Sequence, residues 1–382
     1  MGFHEFSSPY DWSRIAAYKR TAKAAFGGMI DLSVGSPVDP VPDSVRKALA
    51  VAANDPNAYG YPATAGTADL RAAIAEWFSA ARDVDLQAIH ADVVPTVGSK
   101  EGVALMASLL HFGEDDVVVQ PKVSYPTYEI GTQLAGAQVL KVDDVADVAS
   151  WRNVPGVKAV WVNSPCNPTG EVYSAERMAG IVAAAREIGA VVLSDECYAL
   201  MQWRGATNSA DDGPLQSTPC ALRSDVCAGS AEGVLVLYSL SKQSNMAGYR
   251  TAFIAGDESL IASMSAYRKQ IGQIIPGPVQ AAMAAGLRDL ESVKAQHARY
   301  RERLGVLVSA LRAYGYCTDM PDGALYVWVR AKSGDCWTDM EQLAKIGIIA
   351  SPGEFYGAPE CLRFSATASD EAIASAAERL AR

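Results

Sequence analysis

The chain has 382 residues, 49% of them hydrophobic, enough apolar surface for two domains of roughly 150 residues or more each. Its 43 acidic and 33 basic residues give a net charge of −10, and no Lys/Arg run could track a phosphate backbone, so nucleic acid is excluded as an expected partner. No apolar stretch has the length of a membrane span, Met1–Arg20 lacks the succession of a signal peptide, the seven cysteines contain no CxxC, and the four histidines are not spaced as ligand pairs; the expectation is a cytoplasmic chain with no membrane contact, disulfide framework or metal centre.

In chain order, the segment before about Asp43 holds Pro9, Pro37, Pro40 and Pro42 with little periodicity, so residues 1–43 are expected to join the smaller of two layers. From there to Pro278, short apolar runs alternate with helix-length segments: Asp92–Val97 and a helix from Ser99, Val117–Gln120, Ala159–Asn163, a helix from Ser174, Ala190–Ser194, Val234–Tyr238 and Ala252–Ala255. This rhythm predicts an α/β domain over residues 44–278, with a mostly parallel central sheet sandwiched by helices and its active site at the carboxyl ends of the strands. Beyond Pro278 come a long helical stretch, Val279–Leu311, short strands near Ala324–Val329 and Cys361–Ser365, and a last helix opened by Ser369-Asp370-Glu371. These read as a smaller α/β domain over 279–382.

Several strand ends carry polar residues. The run Val234–Tyr238 leads into Ser239-Leu240-Ser241-Lys242, with Arg250 soon after. Two hydroxyls, an amine and a guanidinium suit an anionic ligand bound covalently; a polar loop with a solvated lysine fits the same tetrapeptide. Ala190–Ser194 ends in Asp195-Glu196-Cys197-Tyr198, and Ala159–Asn163 runs into Ser164-Pro165-Cys166-Asn167-Pro168-Thr169-Gly170. An acid and an amide at neighbouring strand ends can reach one ring from its two polar sides, although a helix cap and a plain turn explain them too. In Thr96-Val97-Gly98-Ser99-Lys100, a glycine turn aims helix N-terminal amides at whatever sits above them, a way to hold phosphate without a P-loop; a Ser99 N-cap is the alternative.

Taken in order, these motifs resemble those of the fold-type-I, class I/II aminotransferases over nearly the whole chain. Tyr61-Pro62-Ala63-Thr64-Ala65-Gly66 is similar to that family's glycine turn, and Arg363 in Cys361-Leu362-Arg363-Phe364-Ser365 stands where it holds a substrate carboxylate. The resemblance implies pyridoxal 5'-phosphate as cofactor, with amino-acid and 2-oxo-acid substrates. It implies that Lys242 tethers the cofactor and moves the substrate proton, that Asp195 pairs with the ring nitrogen, and that Asn167 and Tyr198 bond the ring's phenolic oxygen. Gly98, Ser99, Lys100, Ser239, Ser241 and Arg250 would surround the phosphate. Tyr125 would stack on the ring, although Pro121-Lys122-Val123-Ser124-Tyr125 is longer than the family's run. Arg363, Gly35 and Asn167 would meet the substrate, and Tyr61 would reach the partner's phosphate in a homodimer with a shared active site.

Four segments, Pro9–Trp12, Ser33–Pro40, Ser194–Tyr198 and Ser241–Arg250, are most similar to the actinobacterial N-succinyldiaminopimelate aminotransferases of lysine biosynthesis, with departures at Cys166 and Gln243. Such a donor and 2-oxoglutarate both carry a distal carboxylate, for which Lys100, Arg268 and Lys269 are candidates. The loops Tyr10–Lys19, Ile274–Pro278 and Glu354–Gly357 are expected to read the distal group. A carbon–sulfur β-lyase on the same fold would need the same Lys242, Asp195 and Arg363. A cofactor-sensing regulator would need an added helix-turn-helix, for which the N-terminal segment has no room.

Overall fold

Runs of β-branched and leucine residues set the architecture, because a strand covered on both faces needs apolar side chains at every position. The computed structural model describes residues 11–203 and 217–382; Pro9 and Tyr10 of the early motif lie outside the described residues. In chain order the strands are β1 (Ile30–Asp31), β2 (Ala91–Val97), β3 (Val117–Pro121), β4 (Gln138–Val142), β5 (Val157–Asn163), β6 (Val191–Asp195), β7 (Val234–Ser239), β8 (Thr251–Asp257), β9 (Tyr326–Arg330), β10 (Ile348–Ile349), β11 (Ser351–Pro352) and β12 (Cys361–Ser365).

Seven of them form one sheet in the order β2-β8-β7-β6-β5-β3-β4. β3 to β7 run parallel, while β8 is antiparallel to both of its neighbours. The two-residue side-chain period divides the core. On β5 and β7, Val160, Val162, Val234, Val236 and Tyr238 pack on one face with helices Ala68–Arg82 and Gly277–Arg288. Ala159, Trp161, Leu235 and Leu237 face the other way, against helices Ser99–Leu109, Thr127–Leu134 and Glu258–Gln270.

A second core gathers Ile15, Ala22, Ile30 and Leu32 from the N-terminal segment with Leu304, Leu307, Val327, Leu343 and Phe364 from the C-terminal one. Its sheets are β11-β12-β9, antiparallel, and the parallel pair β1-β10. The expected single stretch Val279–Leu311 is two helices, Gly277–Arg288 and Leu290–Ala313. Asp289 divides them: its backbone leaves helical geometry, and its carboxylate accepts the Ser292 N–H at 3.0 Å to cap the second helix. Ala282, Met283 and Leu287 of the first helix lie in the large-sheet core, whereas Tyr300, Leu304 and Leu307 of the second lie in the smaller one. No helix among the described residues is long and apolar enough to cross a membrane.

Beneath the carboxyl end of β6, Arg82 and Glu196 form an ion pair with both side chains almost wholly excluded from solvent. Glu196 also accepts from the Ser194 hydroxyl at 2.9 Å and the Ala221 N–H at 2.8 Å, and Arg82 donates to the Thr218 carbonyl at 2.8 Å. Removing one member of such a pair strands the other's charge. Arg82→Ala is therefore expected to cost about 3–5 kcal/mol in urea unfolding; a loss below about 1 kcal/mol, the scale of a surface pair, would show that Glu196 is compensated elsewhere.

Candidate active site

The parallel strands β5, β6 and β7 end side by side, which brings Asn163, Asp195 and Ser239 to one edge of the sheet. A cavity of roughly 400 Å³ opens there, and the small sheet closes it by contributing Tyr326 from β9 and Arg363 from β12. Gly35, Ser99, Lys100, Tyr125, Asn167, Asp195, Tyr198, Ser239, Ser241, Lys242, Arg250 and Arg363 all line it. Gly98 lies against Arg250, and Tyr61 stands outside the cavity with its side chain fully exposed.

Asp195 is the last residue of β6 and is buried. Tyr128 donates its hydroxyl to one carboxylate oxygen at 2.7 Å, and the Cys197 N–H reaches the other at 3.2 Å. Burial pushes the carboxyl pKa up, and these donors offset only part of that rise. Lys242, on the short helix Leu240–Gln243, donates to the Gly35 carbonyl. Burial lowers its ammonium pKa, with Arg363 and Arg250 pushing the same way and Tyr326 opposing them. The amine is thereby biased toward its neutral, nucleophilic form.

At another side of the cavity the donors cluster. Helix Ser99–Leu109 starts with Gly98, not Ser99, at its N-cap, a residue with no side chain to cap it, and Ser99 and Lys100 of its first turn line the cavity, an arrangement suited to an anion. The Ser239 hydroxyl donates to Ser241 Oγ at 2.7 Å and accepts the Ser241 N–H at 3.1 Å. Arg250 sits in a left-handed backbone conformation with its guanidinium bonded to the Ala247 carbonyl at 2.7 Å. A side chain at Gly98 would collide with that guanidinium.

Arg363 is buried between the rings of Tyr326 and Tyr356, 4.0 and 4.8 Å from their centroids. It donates to Asn167 Oδ1 at 2.6 Å and to the Ser33 carbonyl at 2.8 Å. Because Asn167 accepts there, its Nδ2 remains the donor of that amide. Tyr198 and Tyr326 share a hydrogen bond of 2.6 Å, and burial together with Tyr326 holds the Tyr198 phenol well above its ordinary pKa.

This donor set fits pyridoxal phosphate. A guanidinium, two hydroxyls and a helix N-terminus suit its phosphate, a buried carboxylate with no ion pair among the described residues suits a protonated ring nitrogen, and an amine of lowered pKa suits its aldehyde. Two sequence expectations are corrected. Arg268 does not line the cavity: its buried guanidinium is paired with Glu101 at 2.8 Å. Lys269 lies on a separate depression beside Pro62–Ala65. Of the three loops expected to read the distal group, Tyr10–Lys19 contributes Trp12 and Glu354–Gly357 contributes Tyr356, while Ile274–Pro278 contributes nothing to the cavity; Tyr10 itself lies outside the described residues. Sequence reasoning missed Asn163, Tyr326 and the support from Tyr128. The strand containing Tyr326 was legible, but an aromatic residue in a strand reads first as core.

The family model described as "Aminotransferase class I and II" matches residues 27–380. The chain is 40% identical to the 4-dedimethylamino-4-oxo-anhydrotetracycline transaminase OxyQ of Streptomyces rimosus, over 97% of this chain and 98% of that protein. It is 39% identical to the probable aminotransferase Rv1178 of Mycobacterium tuberculosis, over 97% and 84%. Among solved structures, the probable N-succinyldiaminopimelate aminotransferase of Thermus thermophilus superposes with a TM-score of 0.84 at 27% identity, covering 97% of this chain and 99% of that one.

The lowered pKa of Lys242 generates a direct prediction. When the cofactor-free protein is incubated with limiting pyridoxal phosphate and reduced with borohydride, peptide mapping should find the label on Lys242 and, in Lys242→Ala, nowhere at comparable yield. Equal labelling of several surface lysines would contradict the assignment.

Proposed function

Since this chain belongs to the class I and II aminotransferases, pyridoxal-phosphate enzymes of the fold-type-I architecture, we propose that the cavity residues divide the work of moving an amino group from an α-amino acid to 2-oxoglutarate. The observation that carries this reading is Arg363, a buried guanidinium aimed into the cavity that holds Lys242 and Asp195.

Pyridoxal phosphate, when bound, supplies the electron sink that lets a proton leave the substrate α-carbon. Lys242 tethers it and then carries that proton, a role suited to an amine whose burial brings its pKa down toward working pH. Asp195 holds a proton on the ring nitrogen. Asn167 Nδ2 and the Tyr198 hydroxyl donate to the ring's phenolic oxygen and favour its ionised form. Arg250, Ser239, Ser241 and the amides of Ser99 and Lys100 bind the phosphate. Arg363 grips the α-carboxylate in planar, two-point fashion, and Asn167 fixes the guanidinium plane. Tyr125 walls the ring, and Trp12 and Tyr356 help exclude water.

The narrower proposal is N-succinyl-LL-diaminopimelate as amino donor, which would place the reaction in lysine and diaminopimelate biosynthesis. Its support is the segment resemblance and the likeness to the Thermus thermophilus protein. Of the three candidates for the distal carboxylate, Lys100 is the one that lines the cavity. A second reading is favoured by the 40% identity to OxyQ, whose name gives an oxo-anhydrotetracycline as substrate: a bulky ring ketone against Trp12, Tyr125 and Tyr356. The shared homodimer site remains part of the proposal, with the exposed Tyr61 reaching the partner's phosphate.

A substrate screen with 2-oxoglutarate separates these readings. The narrow proposal expects kcat/KM for the succinylated donor to exceed that for aspartate, alanine or an aromatic amino acid on the order of 100-fold, the discrimination a dedicated polar contact gives. No preference would sink it and leave the aminotransferase standing. Light scattering should find a dimer, and Tyr61→Phe should weaken cofactor affinity without dissociating it; a fully active monomer would refute the shared site.

A further inference from the structure

We propose that Tyr128 is a positioning residue for Asp195: its hydroxyl fixes one carboxylate oxygen from behind and keeps the buried group a charged partner for the cofactor ring. The proposal rests on reading Asp195 as the carboxylate at the ring nitrogen.

Tyr128 lies on helix Thr127–Leu134 and is 1% exposed. Asp195 lines the cavity and Tyr128 does not, so the hydroxyl approaches from the protein side, 2.7 Å from Asp195 Oδ2. The ring is held independently of that bond. It stacks on Trp161 of β5 at 4.5 Å between centroids and 16° between planes, and meets Tyr125 edge-on at 5.7 Å. A phenylalanine would keep both ring contacts and lose only the hydrogen bond, so the hydroxyl is not needed for packing.

The bond has a consequence for the neighbouring site. An unsupported buried carboxylate takes up a proton rather than remain charged. A carboxylic acid cannot hold a second proton on the ring nitrogen. The phenol stays a donor throughout, because burial and the adjacent Asp195 hold it well above its ordinary pKa. Removing it shifts the shared proton from the ring toward Asp195.

The test is nitrogen NMR of enzyme loaded with ring-15N pyridoxal phosphate. In the wild type the ring signal should lie in the protonated range. In Tyr128→Phe it should move toward the unprotonated value, with kcat down about tenfold, the scale of a hydrogen bond to a charged group, and KM for the amino donor within about twofold. An unmoved signal in folded, cofactor-loaded Tyr128→Phe overturns the proposal. A wild-type ring that is already unprotonated overturns the reading of Asp195 instead. Should Tyr128→Phe fail to fold, 3-fluorotyrosine placed at 128 keeps the ring and strengthens the donor; the signal should then move further to the protonated side, and no movement would count against the proposal.

Discussion

A carboxylate buried at the end of a central strand is costly unless its charge is answered, and β6 delivers two acids in succession, Asp195 and Glu196. The structure treats them oppositely. Glu196 is answered inside the protein by Arg82, Ser194 and the Ala221 amide. Asp195 receives neutral donors, the Tyr128 hydroxyl and Cys197 through its N–H and side chain, and its carboxylate lines the cavity. That imbalance fits the proposed role of Asp195, for which a positively charged ring would be the counterpart on the cavity side.

The cavity belongs to both cores. Large-sheet strand ends supply Asp195, Ser239 and, just beyond them, Lys242, while β9 and β12 supply Tyr326 and Arg363. The Arg363–Asn167 bond crosses between the two, and the Ser33 carbonyl ties the N-terminal segment to the same guanidinium. Farther along that segment, Asp39 pairs with Arg303 at 2.7 Å, anchoring it to helix Leu290–Ala313. Gly35 lies between these anchors; a side chain there would strike the Tyr326 hydroxyl, which gives a steric reason for the glycine beside the substrate role the resemblance implied.

Legibility followed burial. Strands covered on both faces, such as β5 and β7, stood out as apolar runs, whereas the half-exposed edge strand β4 did not. The helix break at Asp289 was hidden because the apolar pattern continues on both sides of a single capping residue. Motif residues such as Lys242, Asp195, Asn167 and Arg250 could be grouped because each follows or flanks a strand end. Tyr326 could not, since only the packing of the small sheet against the large one brings it to the cavity, whereas Trp12 and Tyr356 fall in loops expected there without either residue being singled out. Arg268 misled for the converse reason: its cation is consumed by Glu101, a pairing that spans 167 residues of chain.

The central claim is that Asp195 sustains chemistry more than binding, because it keeps the ring protonated while the donors near Arg250 and the Lys242 amine hold the cofactor. The direct measurement compares bound pyridoxal phosphate and turnover in Asp195→Ala with the wild type. The account predicts that the variant retains cofactor yet loses nearly all turnover; near-normal turnover with cofactor bound would contradict it.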